Sequence, residues 1–430
     1  MQSRDDPVWR PPTVSGALAA HVAVPGSKSE ANRALLLAAL GDGPSRLRGV
    51  PASRDTSLMA DGLAGLGAQV TIAGAATTVT PPAAWRGADI DCGLAGTVMR
   101  FLPPVAMLAD GPTRFRGDAR ASERPLTPLL DALRALGATI HADALPFQLT
   151  PPKRWASGPV VIDSSASSQF VSGLLLAGAS YPDGLDLRHD GPPLPSRPHI
   201  AMTMAMLRAR GVDVVEPQPD HWLVQPGPLH ALDAVIEPDL TNAAAFLAAG
   251  VATRGRVAVA DWPATTNQPG DLIRPIIESL GGWARRGADG SLSAGADGSL
   301  TAAAIDLSAA SELTPVVSAL VAVAGAGRIT GVGHIRGHET DRLAAIAEAL
   351  TALGAAVEVD DDGLEIRAGR LHGGVIDSQG DHRLVHMAAV LGLVTPGITV
   401  THPEAVAKTM PDFLERWDAM ARPGADSDAR

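Results

Sequence analysis

Hydrophobic positions along the chain fall into two helical patterns that recur at a fixed interval. In the first, an amphipathic run ends at a glycine and passes into a short β-prone run: LMADGLAGLGAQVTI, LLDALRALGATIHA, MTMAMLRARGVDVVE, LIRPIIESLGGWARR and LAAIAEALTALGAAVEV. Their stop glycines, Gly67, Gly137, Gly211, Gly281 and Gly354, are spaced by 70, 74, 70 and 73 residues. Glycine is expected there because helices commonly close on a residue with a left-handed backbone. DFLERWDAM, ending near Gly424 a further 70 residues on, has the form of a sixth. The second pattern is apolar nearly all round, as a buried helix must be: ANRALLLAAL, TVMRFLPPVAML, SQFVSGLLLAGA, TNAAAFLAAGVA, LTPVVSALVAVAG and DHRLVHMAAVLGLV. Each leads through a turn to a strand-like run such as RLRGV, TRFRG or RVAVA.

The spacing predicts six copies of a unit of roughly 70 residues, each with two helices and several short strands. That period is too long for a simple solenoid, so each copy is a small α/β unit. Three copies per domain divide the chain near His230 to Glu237, where PGPLHALDAVIEPD breaks the helical pattern. The ADGSL pair at 288–292 and 296–300 predicts a mobile hairpin between strands, and the ends MQSRDDP and ARPGADSDAR read as disordered.

Composition narrows the class. At 430 residues the chain exceeds one ordinary core. With 46% hydrophobic, 19% charged and only 3% aromatic residues, its core is built from Ala, Leu, Val and Ile. A formal charge of −11 argues against a nucleic-acid partner, which calls for a basic field. The single cysteine, Cys92, excludes an internal disulfide framework and a cysteine-only zinc site, and reads as a small buried residue. The N-terminus shows neither a basic n-region nor an apolar h-region, and no apolar run reaches membrane-spanning length. The expectation is a soluble cytoplasmic protein with no membrane partner.

Candidate chemistry gathers where the buried helices begin: GSKSEANR, AGTVMR, SSASSQ, EPDLTN, ASELT and GDHR. A buried helix start has orphan N–H groups and a positive dipole end, both suited to anions. If the copies are related by rotation, these starts converge on one cleft between the two halves. Near them stand Lys28, Arg33, Arg100, Arg124, Arg197, Arg342, Arg383 and Lys408. Arginine's planar fork suits carboxylates and phosphates, so this gathering in an acidic chain points to small, multiply anionic ligands. The plainer alternatives are ordinary caps at Ser and Asn, and local ion pairs such as Glu123–Arg124 and Asp381–Arg383. Glu312, Glu339 and Asp341 are candidate proton carriers, or else acidic caps.

Other chemistries fit less well. PGSKS lacks the glycines of a phosphate-binding GxxxxGK[ST] loop. His334/His338 and His382/His386 have the four-residue spacing of a helical metal pair, but HIRGHETDR carries a glycine and reads as a loop opening a helix. No GxSxG, CxxC or GxGxxG occurs in a strand-to-helix context.

PGSKSEANRALLLAAL, LAGTVMR, SERP, SSQF, SRPH, HETDRL, GDHR and AKTMPDF resemble, in order, the signatures of the 5-enolpyruvylshikimate-3-phosphate (EPSP) synthase family across residues 25 to 413. The resemblance implies an inverse α/β barrel pair of six βαβαββ units, three per domain, with the active site in the interdomain cleft. The domains would be 26–236, on the shikimate 3-phosphate side, and 1–25 with 237–430, on the phosphoenolpyruvate and acid–base side. It implies transfer of the enolpyruvyl group of phosphoenolpyruvate to the 5-hydroxyl of shikimate 3-phosphate by a monomer, without metal or organic cofactor. Ser29, Arg33, Ser167, Ser168 and Arg197 would contact shikimate 3-phosphate, with Gln169 shared between ligands. Lys28, Gly96, Arg124, Arg342, Arg383 and Lys408 would form the phosphoenolpyruvate set. Glu312, where the family commonly has Asp, would take the hydroxyl proton, and Glu339 would serve at the methylene carbon, with Lys28 in other steps.

Three residues depart from the family pattern. His338 replaces a frequent Lys, and phosphoenolpyruvate affinity is then expected to weaken between about pH 6 and 8 as its proton is lost. His199 stands where Tyr is usual, and Phe101 where Pro is common. Two alternatives remain. The sister transferase acting on UDP-N-acetylglucosamine typically uses a loop cysteine, which DGPTRFRGDARASERP lacks. A non-catalytic anion-binding relative would have lost some of Lys28, Arg124, Glu312, Glu339 and Arg383.

Overall fold

The computed structural model describes residues 7–422. The terminal stretches read as disordered fall outside it, but for Pro7, Ala421 and Arg422. Every stop glycine predicted within this range has a left-handed backbone: φ is 113° at Gly67, 106° at Gly137, 83° at Gly211, 84° at Gly281 and 93° at Gly354. An L side chain is disfavoured there, so these glycines end the amphipathic helices and turn the chain into the next strand.

The six apolar segments are helices: Lys28–Ala39, Gly96–Ala106, Gln169–Gly178, Leu240–Ala252, Thr314–Ala324 and His382–Val394. All are buried over most of their length. Each sits between two strands that pair in parallel or, in two copies, follows a strand that has moved to another sheet. The Val160–Ile162, Leu185–His189, His221–Val224 and Val214–Gln218 sheet shows the standard order, with one parallel pair followed by two antiparallel pairs. Among the described residues there are six such small sheets, five of four strands and one of three.

Contacts divide the chain into two compact units, Gly26–Glu237 and the combination of Met1–Pro25 with Pro238–Arg430. Strand exchange explains the discontinuity. Ala19–Val22 precedes the first buried helix but pairs in parallel with Arg256–Val259 in the second unit. Ala234–Val235 precedes the fourth buried helix but pairs in parallel with Leu47–Arg48 in the first unit. In the last sheet the N-terminal strand Val8–Trp9 lies antiparallel to Thr399–Thr401 and occupies the third position. The first ADGSL copy lies in the turn of an antiparallel hairpin between Trp283–Arg286 and Leu292–Gly295.

Helix packing explains several residues. In the first unit, a Cβ at Gly173 would lie 2.3 Å from the Arg100 carbonyl oxygen, so glycine lets helix Gln169–Gly178 pack against the backbone of helix Gly96–Ala106. Pro104 in that second helix has no N–H for the Arg100 carbonyl. The core of the other unit carries a ring cluster in which His386 stacks on Phe413 at 4.2 Å. Cys92 is fully buried, and burial pushes its thiol up to about 12, so it is a packing residue and not a nucleophile. No helix among the described residues is long and apolar enough to cross a membrane.

Candidate functional site

In unit Gly26–Glu237, the start of the first buried helix is capped by Ser27, whose hydroxyl accepts the Glu30 N–H at 3.4 Å. Lys28 follows the cap, and its ammonium bonds Asp55 at 3.2 Å; that carboxylate is buried in the neighbouring helix Arg54–Gly65. One turn on, Arg33 is buried. It donates to Thr203 Oγ1 and the Ser29 carbonyl at 2.8 Å, to the His199 carbonyl at 3.3 Å and to Ser172 Oγ at 3.4 Å. Its guanidinium lies over the Phe101 ring at 5.0 Å. Phe101 thus supports Arg33, while His199 takes part through its backbone.

Three expected residues meet at the second buried helix. A Cβ on Gly96 would approach Gln169 Oε1 at 3.0 Å and an Arg124 guanidinium nitrogen at 3.1 Å, so a side chain there would crowd both groups. Arg100 donates to the same Gln169 oxygen at 2.9 Å and to the Pro125 carbonyl at 3.0 Å, and Arg124 donates to the Leu94 carbonyl at 3.0 Å. Ser167 and Ser168 form the turn into the third buried helix, where Ser167 Oγ accepts the Gln169 N–H at 3.3 Å. Arg197 stands at the start of helix Arg197–Ala209, after Ser196 with φ of 51°. Its half-exposed guanidinium pairs with Glu216 at 2.6 Å and with Asp220.

Unit Met1–Pro25 with Pro238–Arg430 holds a buried charge cluster. Asp381 caps the sixth buried helix by accepting the Arg383 N–H at 2.8 Å through Oδ1. Its other oxygen accepts from Arg342 at 2.9 and 2.8 Å. Arg342 also donates to Glu339 at 2.8 Å and to His338 Nδ1 at 2.9 Å, and Lys408 pairs with the other Glu339 oxygen. Because a guanidinium only donates, His338 Nδ1 is an acceptor here and any single ring proton is on Nε2. Burial pulls Arg342 down, but Asp381 and Glu339 more than offset it and hold the guanidinium above its ordinary range. Burial lowers Arg383, whose guanidinium donates to Asn242 at 3.3 Å.

Glu312 lies on the 3-10 turn Ser311–Leu313, just before the fifth buried helix. His334, on the 3-10 segment Gly333–Gly337, reaches Ser311 Oγ with Nε2 at 2.9 Å. Burial lowers its affinity for a proton, against the pull of Glu312.

Several local pairs differ from the simple expectation of sequence neighbours. Glu123 pairs with Arg120 at 2.5 Å. The Asp381 side chain serves Arg342 and meets Arg383 through the backbone N–H. Asp341 acts as a cap, accepting the Ala344 N–H at 3.1 Å. Among the described residues no group of three or more His, Cys, Asp or Glu is placed to hold an ion. Sequence reasoning passed over Asp55 and Asn242, and weighed His334 only as half of a possible metal pair. Their partners lie 27, 141 and 23 residues away, and no local pattern signals them.

The sequence profile of the EPSP synthase (3-phosphoshikimate 1-carboxyvinyltransferase) family matches residues 12–417. An EPSP synthase from Acinetobacter baumannii has the same fold, with a TM-score of 0.75 at 24% identity over 95% of this chain and 96% of that one. The enolpyruvyl transferase NikO from Streptomyces tendae is similar to a TM-score of 0.75 at 21% identity, over 96% of this chain and 97% of that one. With a family match running from the first residues described almost to the last helix, the chain belongs to the EPSP synthase family of enolpyruvyl transferases.

Proposed function

We propose that the protein transfers the enolpyruvyl group of phosphoenolpyruvate to the 5-hydroxyl of shikimate 3-phosphate, releasing phosphate, as a cytoplasmic monomer in the shikimate route to aromatic amino acids. The observation that carries this reading is the corner at Gly96, where the Arg124 guanidinium and the Gln169 amide stand within 3.0–3.1 Å of where a Cβ would lie, so that any side chain would press on both. A small anion suits it, and the family resemblance assigns Lys28, Arg342, Arg383 and Lys408 to the same ligand. Ser29, Arg33, Ser167, Ser168 and Arg197 belong to the acceptor; with Arg197 held by Glu216 and Asp220, its part is to orient the turn at Ser196.

The chemistry follows from charge. Two substrates with two phosphates and two carboxylates repel each other, and fixed cations offset that repulsion and align the reacting atoms. Glu312 takes the proton of the attacking hydroxyl as the C–O bond forms. Glu339 enters this step as the carboxylic acid and gives its proton to the methylene carbon, forming a tetrahedral intermediate, and the carboxylate left behind is the form that Arg342 and Lys408 hold. Return of a methyl proton to Glu339, and departure of phosphate with the proton that Glu312 had taken up, then restore the enol ether.

The test is phosphate release from phosphoenolpyruvate with shikimate 3-phosphate and, separately, with UDP-N-acetylglucosamine. Release that needs shikimate 3-phosphate and disappears in Lys28→Ala supports the reading. Glu312→Gln is expected to lower kcat by about 10²–10⁴-fold, the usual weight of a positioned base. Release with the nucleotide sugar alone would transfer the protein to the sister activity, and silence with both would make it a binding protein.

A further inference from the structure

We propose that His334 is a positioning residue for Glu312: its Nε2, 2.9 Å from Ser311 Oγ, clamps the single 3-10 turn on which Glu312 is carried. The inference rests on the role given to Glu312 above.

Three observations on this stretch converge. First, the first, fourth and sixth buried helices begin with a capping side chain, Ser27, Asp239 and Asp381. The turn at Ser311–Leu313 and the helix Thr314–Ala324 that follows it begin without one. A helix start of this kind needs other ties to keep its first turn in place. Here the ties meet at Ser311, whose carbonyl accepts Thr314 Oγ1 at 2.7 Å and whose hydroxyl meets His334.

Second, Ser311 is fully buried, so its hydroxyl needs a protein partner, and losing that partner costs more than losing a surface bond. Third, His334 is itself held firmly. A Cβ at Gly333 would come within 2.3 Å of the Asp361 carbonyl oxygen, which presses the segment against the turn at Asp361 and Asp362. The Val332 N–H donates to the Asp362 carbonyl at 2.8 Å, a second tie to the same turn. The His338 ring stands edge-on to His334 at 5.9 Å. A rigid imidazole therefore grips the turn from outside the helix that carries Glu312.

Burial keeps His334 neutral near pH 7, although Glu312 and Asp362 favour its charged form; Arg342 opposes it. A neutral ring exchanges one hydrogen bond with the serine hydroxyl and places no cation beside Glu312, which keeps that carboxylate basic. His334 gains and loses no proton in the cycle: the hydroxyl proton goes to Glu312 alone. Its contribution is distance. A base has to stand within about 2.6–3.2 Å of the proton it removes, and a displacement of about 1 Å costs on the order of a hundredfold in rate.

The experiment uses the full chain with phosphoenolpyruvate and shikimate 3-phosphate, comparing His334→Ala, Ser311→Ala, their double variant and His334→Gln. Each single alanine is expected to lower kcat by about 10–100-fold while the KM for phosphoenolpyruvate changes by less than about twofold. The double variant should be no worse than either single one, because both break the same bond. His334→Gln should recover most of the rate, since the glutamine amide nitrogen reaches the place of the imidazole Nε2. An unchanged kcat, a loss confined to KM, or fully multiplicative effects in the double variant would overturn the clamp. Should His334→Ala fail to fold, Ser311→Ala and His334→Gln carry the comparison. If the wild type is silent with shikimate 3-phosphate, the proposed function fails by itself. The clamp is then read from ¹⁵N-histidine spectra: a His334 Nε2 resonance that moves in Ser311→Ala supports it, and one that stays overturns it.

Discussion

Arg210 and Arg342 are both almost fully buried, at 3% and 2% exposure, yet they are buried in opposite ways. Arg210, in unit Gly26–Glu237, donates to Ser45 Oγ at 3.3 Å and to the His230 and Leu232 carbonyls at 3.1 and 3.4 Å. Its acceptors are neutral, and burial lowers it to about 10. Arg342, in the other unit, is met by the carboxylates of Asp381 and Glu339, which hold it above its ordinary range. The difference separates a strut from a site. A guanidinium on neutral carbonyls joins backbone segments and is tolerated at a cost in desolvation. A guanidinium shared by two carboxylates sets the orientation and charge of each, one of which is the proposed proton carrier Glu339.

The sharpest way to break this contrast is Arg342→Met. It leaves Asp381, with 0% exposure, without the guanidinium that pairs with it, and Glu339 with Lys408 in place of two cations. Removing one partner of a buried ion pair typically costs about 3–5 kcal/mol, read as a shift in the denaturant midpoint, and transferase activity should vanish with it. Adding Asp381→Asn, with Glu339 left to pair with Lys408, should recover a large part of the stability and none of the activity. If the single variant is as stable as the wild type, the cluster is not an electrostatic unit.

The same unit also contains buried groups that stay neutral. Burial holds His382 and His386 well below the usual imidazole range, with Arg383 adding to the effect in both. Neither ring has a hydrogen-bond partner among the described residues. The unfolded chain takes up protons at these positions below about pH 6.5, and the folded one does not. Stability therefore falls as pH drops below that value, by about 1.4 kcal/mol per pH unit for each histidine. Denaturant titrations at pH 7, 6 and 5 should show this slope, and His386→Phe, which can keep the stack on Phe413, should remove one proton from it. A slope unchanged in that variant would place the acid sensitivity elsewhere.

These cases also show what the linear chain discloses. The stop glycines and all-round apolar helices are local features, so Gly67 through Gly354 and the six buried helices were legible from spacing. The exchange of Ala19–Val22 and Ala234–Val235 was not, because strands of 4 and 2 residues carry too little pattern to name a distant partner. The cations at the helix starts could be read from the chain as candidate anion ligands, and Gly96 stands beside Arg124 and Gln169. Their partners could not be read. Lys28 takes Asp55, and Arg342 takes Asp381 39 residues on, where the adjacent Asp381–Arg383 pairing looked sufficient. The four-residue histidine spacings, which the glycine in HIRGHETDR already spoke against as a metal pair, belong to packing and bonding: His382 and His386 are buried in the core, and His334 gives its Nε2 to Ser311.

The smallest effect, and the finest test of the contrast, is expected from Arg210→Met. The variant removes three hydrogen bonds to neutral acceptors, each worth about 0.5–1.5 kcal/mol. It also removes the desolvation of a buried cation that no carboxylate compensates among the described residues. The methionine stem keeps much of the packing, and Ser45 Oγ still accepts the Leu232 N–H at 3.0 Å. The opposing terms leave a net change within about 1 kcal/mol, with kcat and KM unaltered. A loss near that of Arg342→Met would mean that the neutral carbonyls hold a guanidinium as strongly as carboxylates do, and the distinction between strut and site would have to be drawn from position alone.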